Sequence, residues 1–409
     1  MREPSTHSRA ITMGSSKGEQ NADSFGHTWP RLEGVDLLRG LAILFVLLNH
    51  VNMRLVIGHI PYGTGVPPSM LPILVWNGQH GVQMFFAISG FLITSTSIRR
   101  WGDLSRVRVL DFYRIRFARI APLLLLLLVA LSVLDLAHVH DYVVPSRTGG
   151  LGAALLAALT FRVNVLEAHH GYLPGSWDVL WSLSVEEAFY CFFPLVCRLL
   201  GNRRRLFVAA LLIFVALGPV ARTLFDRGNE VWYEYSYLGG MDAIALGCLT
   251  ALALSAIRLE RHQARLAGLT GTAVLAFLLG IDVPALVHTG LDMSLIAIGT
   301  CLVVAASAQS GWKSPAFLRP LVGLGQRSYE TYLTHMFVVF TLFQLFLSLG
   351  KPPYGVPLLF ATVILIAGIV GAMTARLYSE PLNRQLRSRW QQARRSLASA
   401  APVESGRLG

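Results

Sequence analysis

The sequence predicts an all-α polytopic membrane protein: a bundle of about ten transmembrane helices around a central cavity, with both termini cytoplasmic. Three observations lead there: the composition, the recurrence of long apolar runs, and the distribution of the arginines. Of 409 residues, 53% are hydrophobic and only 14% charged, and the mean hydropathy is +0.52. A soluble chain of this length does not reach that balance.

The elements follow in order. Residues 1–30 are polar, with no short apolar core or cleavage signal, and read as a disordered cytoplasmic tail rather than a signal peptide. Apolar segments then recur near 36–57, 77–98, 117–138, 178–200, 205–224, 237–256, 265–283, 289–308, 328–349 and 355–377. Each approaches the roughly 20 residues a helix needs to cross the hydrocarbon core. Residues 386–409 form a basic cytoplasmic tail.

An eleventh run, "LGAALLAALTFRVNV", has a short apolar core and carries Arg162. The arginines decide whether it crosses. Basic residues crowd "RRWGDLSRVRVLDFYRIRFAR", "RLLGNRRRL", "IRLERHQAR", the segment holding Lys313, Arg319 and Arg327, and "RQLRSRWQQARRS". The intervening loops "HVHDYVVP", "FDRGNEVWYEYS", "IDVPALVHTG" and "GKPPYG" are poorer in them. All five basic segments share one side only if residues 150–165 do not cross. That segment is therefore expected to be re-entrant or interfacial, where protein or water covers its backbone. No internal repeat is evident, which disfavours an inverted-repeat transporter.

The net charge is +12, from 35 Lys and Arg against 23 Asp and Glu. It lies in short clusters between apolar runs, and no zinc-finger, basic-zipper or RNA-binding signature accompanies it, so no nucleic-acid partner is expected. Cys191, Cys197, Cys248 and Cys301 sit inside apolar runs and read as buried thiols, and no metal is expected. His59, His80, His138, His140, His169 and His170 lie in loops or near helix ends without convincing zinc spacing.

Within the first apolar run, "GVDLLRGLAILFVLLNH", the polar exceptions are Asp36, Arg39 and His50. Eleven residues at about 100° each return His50 to within about 20° of Arg39, roughly 16 Å further along one stripe. Asp36, three residues before Arg39, can pair with it. The pair can also simply mark the membrane interface, but an imidazole at that depth is a functional-site candidate by default.

These residues carry a family resemblance. "VDLLRGLAILFVLLNH" resembles the first-helix signature of the acyltransferase family 3 membrane proteins, and "GVQMFFAISGFLIT" resembles the second-helix motif. "RFARIAP" resembles the arginine pair followed by proline, and "WSLSVEEAFYCFFP" the Trp-Ser-Leu-Ser-Val-Glu segment. "GQRSYETYLTH" resembles the late Ser-Tyr…Tyr-Leu…His segment, and "YSEPLNR" roughly the closing Glu-Pro element. The six lie in family order from about residue 31 to 385.

The resemblance implies an O-acyltransferase, most simply an O-acetyltransferase, of the cell inner (plasma) membrane. An acyl-CoA co-substrate, acetyl-CoA by this reading, enters from the cytoplasm, and the acceptor is a hydroxyl of a saccharide, a cell-surface polysaccharide or a glycosylated small molecule. No tightly bound cofactor is implied. His50 becomes the catalytic residue, as general base or as transient acyl carrier, because a neutral imidazole suits proton abstraction near neutral pH. Arg39 becomes an anion or thioester contact at the cytoplasmic mouth, with Asp36 beside it in the substrate-binding set.

Arg116 and Arg119, nearly one turn apart, become a fork for coenzyme A phosphates. Without the resemblance, Arg114, Arg116 and Arg119 read equally as positive-inside anchors. Glu186 is the second catalytic candidate, orienting the imidazole or the acceptor hydroxyl, and Glu187 is set aside because it points about 100° away. Tyr190, one turn beyond Glu186, and Tyr329, Tyr332 and His335, spaced by three, are read as a polar lining for substrate. His335 can instead be structural. Trp177 and Trp181 are either interface-belt aromatics or stacking platforms for a sugar. Ser182 and Ser184 read as helix–helix hydrogen bonders, since no nucleophile elbow accompanies them.

The pattern has departures. Gln83 stands where the family often has an acidic residue, Ile115 interrupts an arginine doublet, and Glu380-Pro381 lacks the residue usually between them. Some members carry a C-terminal extracytoplasmic SGNH-hydrolase-type domain. Here about thirty residues follow the last helix, so the expectation is that the membrane unit completes transfer itself or uses a separate extracytoplasmic partner. The competing functional classes are a transporter or flippase for a lipid-linked saccharide or acyl group, and a scaffold or sensor subunit.

Overall fold

The computed structural model describes residues 32–62, 73, 75–225, 228–352 and 355–400, the last seven by backbone only. The expected disordered tail at 1–30 lies outside the described residues. Among the described residues, ten helices are long and apolar enough to cross a membrane. They are α1 (Glu33–Ile57), α2 (Gly78–Trp101), α3 (Val109–Leu136), α4 (Leu180–Leu200), α5 (Arg204–Val220), α6 (Tyr237–Ala256), α7 (Arg261–Gly280), α8 (Leu291–Ser310), α9 (Ser328–Ser348) and α10 (Gly355–Thr374). No strand occurs among the described residues. Each matches an apolar run read from the sequence, because in hydrocarbon the backbone must satisfy its own hydrogen bonds and a helix does so within one segment.

The segment expected not to cross is too short to do so as a single helix. Gly150–Leu159 is a ten-residue helix, about 15 Å long and half the hydrocarbon thickness. It breaks at Phe161, with φ +55°, and a second short helix follows at Val163–His170. The other end of the chain differs from a featureless tail. A π-helical turn, Ala375–Ser379, carries α10 into a further helix, Glu380–Ala400.

Close packing sets the position of α1. A Cβ on Gly325, in the short helix Arg319–Gln326, would lie 1.8 Å from the Asp36 carbonyl oxygen, and one on Gly40 would lie 2.1 Å from that of Leu321. The two backbones therefore touch at a place only glycine permits. The same device joins α2 to α6: a Cβ on Gly90 would meet the Ile244 carbonyl at 1.9 Å, and one on Gly247 that of Ala87 at 2.0 Å.

A buried ion pair ties four helices. Arg222, in the π-helical turn that ends α5, donates to Asp242 of α6 at 2.6 Å and to the Gly239 carbonyl at 2.7 Å. Asp242 also accepts from Ser294 of α8 at 2.5 Å and from Gln83 of α2 at 2.9 Å. Gln83, the departure from the family's acidic residue, thus works as a donor to a carboxylate. The apolar core runs through Leu47, Leu131, Trp177 and Ile244, all fully enclosed. Leu125, Leu199, Leu269 and Leu365 stay exposed on the outer surface, where lipid replaces water.

Candidate active site

The deep end of α1 meets α9 through two imidazoles. His50 Nδ1 lies 2.8 Å from the Val46 carbonyl oxygen, and His335 Nδ1 lies 2.6 Å from that of Tyr332. A carbonyl oxygen only accepts, so both Nδ1 atoms carry the proton. His335 Nε2 is then a lone pair, and it lies 3.4 Å from His50 Nδ1, the rings meeting edge-on with centroids 4.9 Å apart. His50 Nδ1–H is thus held between two acceptors, and its Nε2 lone pair is left for an incoming proton. His335 is fully enclosed, whereas His50 keeps part of its surface open.

Arg54, one turn beyond His50, is clamped away from it. It donates to Asp141 at 2.6 Å and lies over the rings of Phe340 and Phe343 at 4.8 and 5.5 Å. Burial alone would raise the Asp141 pKa, but the Arg54 hydrogen bond and charge hold it below the ordinary 3.8.

A second group gathers where α2, α3 and α4 meet. Ser89 and Tyr190 both hydrogen-bond Glu186, and Ser89 and Tyr190 also bond one another. The Arg116 guanidinium lies 3.5 Å from the centre of the Tyr190 ring, 3.9 Å from Glu186 and 3.8 Å from Glu187. Tyr190 thus offers a hydroxyl to a carboxylate and a ring face to a cation. Arg39 pairs with Asp36 at 3.8 Å, and its electrostatic neighbours include Arg119, Glu330 and Glu186. Arg39, Arg116, Arg119, Glu186, Tyr190 and Tyr329 therefore share one charged neighbourhood.

The structure sorts the remaining expected residues differently from the sequence. Glu186 hydrogen-bonds Ser89 and Tyr190 rather than His50; the group that touches His50 is His335. Glu187 is not idle, since it shares Arg116. One face of α9 serves three neighbours: the Tyr329 hydroxyl donates to the Ile120 carbonyl of α3 at 2.8 Å. That of Tyr332 donates to the Val179 carbonyl at 2.9 Å and lies 2.7 Å from the Ser182 hydroxyl, and His335 reaches α1. Trp177 and Trp181 are not interface-belt aromatics. Trp177 is fully enclosed, and Trp181 is 5% exposed and stacks on Tyr235 with centroids 4.1 Å apart, which covers one face of its ring.

Three contributors escaped the sequence reading. Ser89 sits in "AISGF" as the one hydroxyl within an apolar stretch, which was its only signal. Glu330 lies inside the quoted "SYETYLTH". Glu167, fully enclosed, accepts from the Leu173 amide at 3.1 Å and faces the Asp178 carboxyl. Burial first, and then the Asp178 charge, raise its pKa well above 4.5. Tyr235 donates to Asp178 at 3.2 Å.

A part-open His50 against an enclosed His335 at one end of the α1 stripe, and a knot of arginines, carboxylates and a tyrosine toward the other, lie inside a bundle of membrane-length helices and define a polytopic membrane protein with a polar interior. Residues 32–376 match the model of the family described as "Acyltransferase domain", and the chain belongs to that family. Among curated relatives, O-acetyltransferase OatA of Staphylococcus aureus (strain NCTC 8325 / PS 47) is 23% identical over 87% of this chain and 57% of its own length. The putative O-acetyltransferase SACOL0978 of Staphylococcus aureus (strain COL) is 26% identical over 75% of this chain and 50% of its own. The chain thus spans about half the length of these relatives. No solved structure matches it.

Proposed function

We propose that this chain is a multi-pass plasma-membrane O-acyltransferase, with both termini cytoplasmic, that moves an acyl group from acyl-CoA to a hydroxyl of a saccharide or glycosylated small molecule. Family membership and the O-acetyltransferase relatives support the reaction class and favour acetyl as the group. The observation that carries the reading is the tautomer-locked His50–His335 pair, which leaves one basic nitrogen in a protein interior.

The chemistry follows from that geometry. His50 Nε2 takes the proton of the acceptor hydroxyl as its oxygen attacks the thioester carbonyl. The imidazolium that forms keeps its Nδ1–H between Val46 O and His335 Nε2, where a developing positive charge meets acceptors only. As the tetrahedral intermediate collapses, the C–S bond breaks and the coenzyme A thiolate takes the proton back from Nε2, leaving an ester and a free thiol. Arg39 and the Arg116/Arg119 pair supply positive charge for the donor's phosphates. Glu186 and Tyr190 act through Arg116, fixing its plane, and Ser89 holds both of them.

The test is thiol release from acetyl-CoA by the purified protein, with and without a panel of methyl glycosides as acceptors. The proposal expects release that depends on acceptor and is lost in His50→Ala. Release equal in wild type and variant would remove His50 from the chemistry. Glycoside movement across a vesicle without any ester formed would favour transport.

A further inference from the structure

The helix Glu380–Ala400 is not explained by a membrane-spanning unit that ends near residue 376. Its sequence places Arg384, Arg387, Arg389, Arg394 and Arg395 in twelve residues. It packs on α3 at a particular turn: the Trp390 ring lies 6.5 Å from that of Phe117, the residue just after Arg116 in "RFAR". Twelve residues nearer the bundle, in the π-helical turn, the Tyr378 hydroxyl donates to the Pro122 carbonyl at 3.2 Å. The helix is therefore pinned against the stretch of α3 that carries Arg116 and Arg119.

Helical register divides its arginines. Taking Trp390 as the contact direction, Arg387 lies about 60° and Arg384 about 120° to one side, while Arg389 lies about 100° to the other. Arg384 and Arg389 are exposed, and Arg384 meets Glu380 at 3.1 Å, a surface pair of little strength that a phosphate readily displaces. At the start of α3, Arg108 and Arg114 share one carboxylate, Asp111, at 3.8 Å each. Arg108, Arg114, Arg384, Arg387 and Arg389 thus lie on the two segments that meet at the Trp390–Phe117 contact, just outside the turn of α3 that carries Arg116 and Arg119.

Resting on the acyl-CoA reading above, we propose that the Arg384/Arg387 face of this helix forms a phosphate-binding lip at the donor entrance, taking the adenosine 3′,5′-bisphosphate end of coenzyme A. A long flexible pantetheine arm separates that end of the donor from its thioester, and here an outer basic lip and an inner imidazole are separated in the same sense. The charge is all guanidinium, which suits bidentate phosphate contact. The ring contact with Phe117 couples the lip to the turn between Arg116 and Arg119.

The experiment measures binding of coenzyme A, dephospho-coenzyme A and pantetheine to the full-length protein in phosphatidylcholine nanodiscs. Wild type should bind coenzyme A more tightly than dephospho-coenzyme A. The double variant R384Q/R387Q should weaken coenzyme A about tenfold, erase the preference for the 3′-phosphate and leave pantetheine unchanged. R389Q, with the same loss of charge per residue on the other side, should leave the preference intact. Unchanged coenzyme A binding in the double variant overturns the lip, as does an equal loss in R389Q or a parallel loss of pantetheine. If the double variant alters only the response to added phosphatidylglycerol, the face reads lipid headgroups and the proposal fails. Wild type that binds no coenzyme A defeats the acyl-CoA reading itself, an outcome distinct from the failure of the lip alone.

Discussion

At the residue scale the site rests on proton placement. His50 was legible in the sequence because an imidazole deep in an apolar run has few bland explanations. Its partner was not, since His335 lies 285 residues away and spacing within one helix says nothing about which neighbour it meets. A carboxylate was the natural guess for an orienting group, and Glu186 was the nearest by motif, yet Glu186 is committed to Ser89, Tyr190 and Arg116. His335→Phe should keep the packing but remove the second acceptor for His50 Nδ1–H. A fall of about 10–100-fold in kcat with little change in donor KM is expected, read from steady-state kinetics. Two acids outside the spanning helices give opposite pH signatures. Glu167, raised by burial and Asp178, destabilises the fold progressively as pH climbs above 4.5, so the thermal stability of Glu167→Gln should gain on that of wild type as pH rises from that value. Asp141, held low by Arg54, contributes stability that is present above 3.8 and lost on acidification. The advantage of wild type over Asp141→Asn should therefore shrink as pH falls below that value, measured by melting in detergent.

At the element scale the helices were readable because lipid demands length and apolarity, and both are written along the chain. The half-length segment was readable by an indirect route: crossing would have put basic loops on opposite sides. What the sequence did not reveal is which helices touch. Gly40 and Gly325 lie in different elements, and only the folded chain shows that each removes a methyl from the path of the other's backbone. Gly325→Val should displace α1 against the Arg319–Gln326 helix and shift the Asp36–Arg39 end of the stripe, with donor KM rising before His50 chemistry is lost. Asp242 shows the energetic side of the same question. It compensates Arg222 in a place water does not reach, so Asp242→Ala leaves a buried cation alone and should cost about 3–5 kcal/mol, seen as a lower melting temperature. Removing both charges together, as Arg222→Met with Asp242→Leu, should cost much less than the two single changes summed.

At the scale of the whole molecule, the family's motifs lie far apart in sequence, and the bundle folds five of the six stretches onto one interior, leaving the Glu380 stretch on the surface. The first, second, third and fourth helices bring Arg39, Ser89, Arg116 and Glu186 together, and α9 brings His335 to the other end of the α1 stripe. Order and spacing were enough to recognise the family. They were not enough to separate a charged entrance from an imidazole end, which took the distances. Single cysteines placed at the ends of α1 and α10 test the topology: with ten crossings, impermeant thiol reagents should label residues near 58 and 352 from outside the cell and leave those near 32 and 376 untouched.

The account stands or falls on the unprotonated nitrogen of His50. The direct measurement is acyl transfer by His50→Ala in the presence and absence of added imidazole, with His335 intact. The cavity left by the side chain lies where a free imidazole can sit, so the account predicts at least a hundredfold loss of transfer, partly restored by imidazole with a dependence on its neutral form. Transfer near the wild-type rate in His50→Ala without imidazole would contradict it, and would move the base elsewhere in the chamber.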